Sequence, residues 1–180
     1  MNETKLLHDR VKSILYSLTG ITLTENKEVM ITNRLDKLKR NTSTSCSIDE
    51  LLDRISDGEF TTEFINTFTT NKTHFFREDF HFKDLKDRVI PEFNSKNQEI
   101  KMYCSAASTG EEPYSMAITA KEVNSNIKAS IVATDIDTEV LQHSANGIYR
   151  FQKSSKEFPD WITPQKYFKK RVQKNLVEIG

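Results

Sequence analysis

Residues 104–115 read CSAASTGEEPYS, a run of small residues with one glycine, two adjacent carboxylates and a proline. Ala106, Ala107, Ser108 and Gly110 would let backbone approach a ligand closely, as larger side chains would not. The G-x-G-x-x-G dinucleotide fingerprint is missing, because Gly110 stands alone, and so is a Walker-type lysine. Glu111 and Glu112 would also repel a pyrophosphate at a helix N-terminus. NAD and ATP are therefore disfavoured. Asp135 follows Gly110 by 25 residues at the end of an apolar run, where a carboxylate can accept both hydroxyls of an adenosine ribose. A ligand with a ribose, no phosphate and a positive charge is wanted. S-adenosylmethionine, with its sulfonium and ammonium groups, meets these conditions. Either glutamate alone could merely complement the helix dipole in its first turn; loop, carboxylates and Asp135 together point to the cofactor.

These residues need a framework. IKMYCS (100–105) reads as a strand, EEPYSMAITAKEV (111–123) as a helix, SIVATDID (130–137) as a second apolar strand, and TEVLQHSANG (138–147) as a second helix stopped by Gly147. Strand, loop, helix, strand, helix is the start of a parallel α/β sheet with right-handed crossovers. The first 70 residues read instead as helices. Leu7, Val11, Ile14, Leu15 and Leu18 repeat at helical spacing up to Gly20, and Ile31, Leu35 and Leu38 stripe a second helix. SIDE (47–50) is a capping box whose helix Gly58 closes, and Phe60, Phe64 and Phe68 mark a fourth helix. The expected division is a helical domain over 1–69 and a ligand-binding α/β domain over 70–180.

Lys+Arg and Asp+Glu are each 26, so the charge balance gives no reason to expect nucleic acid or an anionic membrane as partner. Between Lys27 and Arg40, however, five basic residues face two acidic ones. Arg34, Lys37 and Arg40 fall at i, i+3 and i+6 on one helix flank, which suits an acidic partner and equally a solvated face. Two cysteines and four scattered histidines make neither a disulfide framework nor a zinc-ligand pattern. No apolar run approaches a bilayer span and the start MNETKLLHDR lacks a signal-peptide core, so a cytoplasmic protein without membrane insertion is expected. Phe75, Phe76, Phe80 and Phe82 are expected in the core rather than against an adenine, and His74 and His81 as ordinary residues rather than catalysts.

TTNKTHFFRE (69–78), SAASTGEEPYS (105–115) and ATDIDTEVLQHSANGIYR (133–150), in this order and spacing, closely resemble the chemotaxis receptor methyltransferases, the CheR family. The resemblance runs weakly through YRFQKSSKEFPDWITPQKYF to the end. It implies an α/β fold in which an N-terminal all-helical, receptor-docking domain precedes a class I methyltransferase domain, a Rossmann-like doubly wound sheet. The implied reaction is methyl transfer from S-adenosylmethionine to glutamates on the cytoplasmic coiled coil of chemotaxis receptors, by a monomer. It further implies that Asn71, Thr73 and Arg77 line the cofactor and substrate side, Ala106 and Glu112 contact the methionine moiety, and Asp135 the ribose. Arg34, Lys37 and Arg40 would dock the receptor. An arginine at position 77 could hold the incoming carboxylate bidentately and align one oxygen with the methyl carbon. A glutamate is already ionised at neutral pH, so no base is required.

Members of this family continue through a central strand with a further asparagine-containing loop and then the strands that close the sheet. NLVEIG is expected to be no more than the beginning of another strand. Two readings follow: a receptor glutamate methyltransferase of which this is the N-terminal portion or a shortened relative, and a receptor-binding module that cannot turn over and competes with a complete enzyme.

Overall fold

The structure is a computed structural model that describes residues 3–24, 27–150, 158–170 and 176–179. The FQKSSKE stretch of the resemblance, at 151–157, lies outside the described residues. The chain divides into two compact units, one comprising 1–70 with 136–138 and the other 71–135 with 139–180.

The first unit holds α1 (Glu3–Thr19), α2 (Glu28–Thr42), α3 (Ile48–Ser56) and α4 (Thr61–Phe68). Their apolar stripes meet in one core of Val11 and Leu15 from α1, Ile31, Leu35 and Leu38 from α2, Leu51, Leu52 and Ile55 from α3, and Phe64 and Phe68 from α4. Removing each such side chain from water contributes about 1.5–3 kcal/mol. The ends follow their residues: Gly20 turns left-handed at φ +73° after α1, and the Ser47–Glu50 capping box opens α3. Phe60 departs from expectation. It precedes α4 in a left-handed conformation at φ 52°, under the guanidinium of Arg54, and is not a helical residue. Residues 136–138 cluster with this unit, where Thr69 Oγ1 donates to Asp137 Oδ2 at 2.8 Å and Asn66 pairs with Thr138.

In the second unit α5 (Asp79–Asp84), a π-helical turn (Leu85–Val89) and α6 (Ile90–Ser95) lead into β1 (Ile100–Cys104), then α7 (Glu111–Val123), β2 (Ala129–Ala133) and α8 (Thr138–Asn146), whose first residue belongs to the first unit. β1 and β2 pair in parallel from Ile100↔Ala129 to Cys104↔Ala133, with α7 as the crossover. Ile90, Ile100, Ala120 and Ile127 make a core beside this ladder, and Met102 packs against it. Tyr103 and Val132, opposed in register, are 64% and 60% exposed. β2 ends at Ala133, four residues short of the apolar run. Beyond it the Thr134 backbone pairs with Cys104 and Ala107, and Asp135 turns its side chain to the Ser108 amide.

The strand expected at NLVEIG is present over Leu176–Ile179, but in a different sheet. β3 (Ile148–Arg150), β4 (Phe168–Lys170) and β5 (Leu176–Ile179) form a separate antiparallel sheet in the order β3-β5-β4, so LVEI is its central strand and does not extend the parallel sheet. Around it Phe75, Phe76, Phe82, Tyr149, Ile162 and Phe168 form an aromatic core with Phe158 and Trp161 packed on it. Phe80 is not part of this core: it is exposed and tilts against the His81 ring, because α5 turns that side outward.

Candidate functional site

The loop after β1 is fastened to the end of β2. Thr134 N–H donates to Cys104 O at 2.9 Å, Ala107 N–H to Thr134 O at 2.9 Å, and Ser108 N–H to Asp135 Oδ2 at 2.8 Å, which continues the parallel ladder past its last strand residue. Ser108 takes a left-handed φ of 49°, is buried, and donates its hydroxyl to Asn71 O at 3.1 Å. Asn71, Ser108 and Asp135 are therefore joined through one serine. A non-glycine residue in that conformation costs on the order of 1 kcal/mol, which its hydrogen bonds offset.

The small residues of the loop have different surroundings. Ala106 is exposed, whereas Ala107 is wholly buried. Gly110, at φ +101°, opens α7, and a Cβ there would lie 2.3 Å from Ser144 Oγ and 2.6 Å from the Tyr149 hydroxyl. The close approach that demands glycine is thus made by the protein's own side chains.

Arg77 lies between two left-handed residues, Phe76 at φ 52° and Glu78 at φ 57°. Its Nη1 donates to Lys72 O at 3.1 Å, closing the turn. The Phe76 N–H donates to Ser115 Oγ at 2.9 Å, and that hydroxyl donates to Glu111 O at 2.6 Å. Ser115 is fully buried and links the FFRE turn to the first turn of α7. Arg77 and Glu112 line one cleft of about 580 Å³ with Glu78, His81, Asp84 and the π-helical turn. Thr73 lines another cavity, of about 550 Å³, with Thr109, Glu111, His143 and Tyr149. Glu111 accepts the Thr109 hydroxyl at 2.6 Å, a short-range role besides its place at the helix N-terminus.

Burial and the Glu112 carboxylate push the Cys104 thiol up to about 11, and Cys104 Sγ donates to Glu112 Oε1 at 3.5 Å. Burial, and then the charge of Glu111, raise the Tyr149 phenol far above its ordinary range. Lys37 and Arg40 are exposed on α2, but Arg34 is half-buried. Its Nη2 donates to Thr70 Oγ1 at 3.2 Å, its Nη1 is buried with no hydrogen-bond partner among the described residues, and desolvation lowers its pKa.

The fold thus gathers Arg77 with Glu112, and Asn71 with Asp135; Thr73 opens on the neighbouring cavity and Ala106 stands at the loop surface. Sequence reasoning took Ser108 only as a small loop residue and missed its linking role, and it missed Ser115 and Tyr149 altogether. All three lie inside the quoted stretches SAASTGEEPYS and NGIYR, but only their partners in space reveal what they do. Glu111 and Glu112 place two carboxylates in the first turn of α7, and Asp135 stands two residues beyond the end of β2.

A parallel β–loop–α–β unit with an acidic helix mouth and an aspartate just beyond the second strand defines an α/β ligand-binding domain. The model of the CheR methyltransferase SAM-binding domain matches residues 71–178, and the chain belongs to this family. S-adenosylmethionine is accordingly the cofactor. The chain is 35% identical to a chemotaxis protein methyltransferase of Escherichia coli over 164 residues, covering 88% of this chain and 55% of that protein. It is 34% identical to one of Borreliella burgdorferi, covering 83% and 56%, and 38% identical to chemotaxis protein methyltransferase 2 of Pseudomonas aeruginosa, covering 80% and 52%. The chain spans about half the length of these relatives.

Proposed function

We propose that this chain is the cofactor-binding and receptor-docking part of an S-adenosylmethionine-dependent protein-glutamate O-methyltransferase acting on chemotaxis receptors. The observation that carries the reading is the sharing of one cleft by Arg77 and Glu112, a cation for the incoming carboxylate and an anion for the cofactor. In this reading Glu112 and Ala106 hold the methionine end, Asp135 the ribose, and Asn71 and Thr73 the adjoining side. β1, α7 and β2 are the first part of a class I, doubly wound methyltransferase sheet.

When bound, the cofactor would supply a methyl group on a sulfonium to a glutamate oxygen, the C–S bond giving way to the C–O bond with no proton to be moved. The protein's work is therefore orientation. Arg77 can present two parallel N–H donors to a carboxylate and fix one oxygen in line. Phe76, anchored through Ser115, and Glu78, both left-handed, flank Arg77 and hold it in place before the substrate arrives. Lys37 and Arg40 on α2 would meet an acidic receptor helix in the cytoplasm, where a monomer suffices. Among the described residues no helix is long and apolar enough to cross a membrane.

Calorimetric titration tests the cofactor arm and transfer of labelled methyl to a receptor fragment tests the reaction. Preference for S-adenosylmethionine and its demethylated product over NAD is expected; equal affinities would overturn the reading. Cofactor binding and receptor association without transfer would favour the competing binding module.

A further inference from the structure

The loop over 105–110 is held from two sides, and only one of them belongs to the parallel sheet. On the other side the Tyr149 hydroxyl, from β3, donates to Thr109 O at 2.7 Å. That carbonyl has no donor available from its own helix. The residue four positions on is Pro113, which has no N–H, and the α7 ladder begins one residue later with Tyr114 N–H on Gly110 O at 3.1 Å. Tyr149 is itself buried and wedged by ring contacts with Phe75 at 4.9 Å, His143 at 5.6 Å and Tyr114 at 6.0 Å. Gly110 is the residue that lets this hydroxyl in, since a Cβ would stand 2.6 Å from it.

We infer that Tyr149 is a positioning residue for the cofactor loop: its hydroxyl fixes the Thr109–Gly110 turn, and through it the start of α7 from which Glu112 is presented. The inference rests on the reading of that loop as part of the S-adenosylmethionine site. The Thr109 carbonyl is partly buried, so loss of its only phenol donor is costly and the turn would relax toward water or another donor once the phenol oxygen is gone. Its effect should concentrate on Ser108 and Gly110, because Ser108 N–H is held by Asp135 on one side of the turn and Gly110 N–H by Ala107 O within it. The parallel ladder lies outside its reach.

Tyr149→Phe removes the hydroxyl and keeps the ring contacts. Tyr114→Phe is the matched control, because the Tyr114 hydroxyl donates to Ser144 O at 3.0 Å and not to the loop. Amide exchange is followed by NMR on the ligand-free 180-residue chain, and S-adenosylhomocysteine affinity by calorimetry. Tyr149→Phe is expected to speed exchange at Ser108 and Gly110 by roughly three- to tenfold, to leave Met102 and Val132 unchanged, and to weaken S-adenosylhomocysteine binding by a similar factor. Tyr114→Phe should change neither. Unchanged loop exchange in Tyr149→Phe, or an equal effect from Tyr114→Phe, would overturn the clamp. Faster loop exchange in Tyr149→Phe with no binding even by the wild-type chain would uphold the clamp and sink the cofactor reading.

Discussion

The backbone N–H of Ser108 donates to Asp135 Oδ2 at 2.8 Å, so the residue proposed to take the ribose also fastens the cofactor loop to the sheet. In that reading one carboxylate couples binding to loop order. Asp135→Ala should weaken S-adenosylhomocysteine binding at least tenfold, the loss expected for a charge-assisted contact of about 1.5–3 kcal/mol. It should also raise amide exchange at Ser108. Calorimetry and NMR on the same sample measure both, and unchanged affinity would remove Asp135 from the site.

Arg77 is expected to act on transfer more than on cofactor binding. Arg77→Ala should lower the methyl-transfer rate by about a hundredfold, because loss of alignment by about 1 Å has that order of cost. Arg77→Lys should not restore it, since an ammonium cannot reproduce the planar two-donor fork. Rates with a receptor fragment, alongside S-adenosylhomocysteine affinity, separate the two effects. A rescue by lysine would mean that charge alone matters at this position.

Gly110→Ala combines a disfavoured φ of +101° with a Cβ placed 2.3 Å from Ser144 Oγ. A destabilisation of about 2–4 kcal/mol follows from the backbone strain and the overpacking together. Thermal or urea unfolding reads it directly. A shift below about 0.5 kcal/mol would show that the α7 start yields easily.

On α2 the three basic residues should separate into two kinds. Reversing the exposed pair, Lys37→Glu with Arg40→Glu, should abolish receptor association and leave Tm unchanged, and wild-type association should weaken as salt rises. Arg34→Glu should lower Tm, because its guanidinium is half-buried and bonded to Thr70. Receptor binding that survives the double reversal would make this flank an ordinary solvated one.

Cys104 titrates at about 11, raised by burial and by Glu112. At pH 8 roughly one thiol in a thousand is then ionised, and each added pH unit should speed alkylation about tenfold while the fold persists. The linkage has a matching sign. A thiol whose folded pKa is raised adds stability that is complete below its unfolded value of about 8.5 and is lost as pH climbs toward 11. Mass spectrometry after iodoacetamide treatment at several pH values tests this, and fast labelling of Cys104 at pH 8 would contradict it.

Much of this protein is determined by sequence alone, because its signals are local. Helix periodicity, the Ser47–Glu50 capping box, the glycine stops at 20, 58 and 147, and the α7 limits at Glu111 and Val123 depend on neighbours within a few residues. The family, too, is legible in three short stretches, and the model match over 71–178 agrees with them. Tertiary structure decided what depends on partners far along the chain. It turned LVEI into the centre of an antiparallel sheet, since a short apolar run specifies a strand but not whom it pairs with. It set Arg34 deeper than Lys37 and Arg40, half-buried and bonded to Thr70, because spacing gives a helical face and not the depth of each side chain. It filled the space beside Gly110 with Ser144 and Tyr149, where the sequence suggested only room for a ligand. A glycine reports that something comes close; only the folded chain, which brings residue 149 back to residue 109, says what.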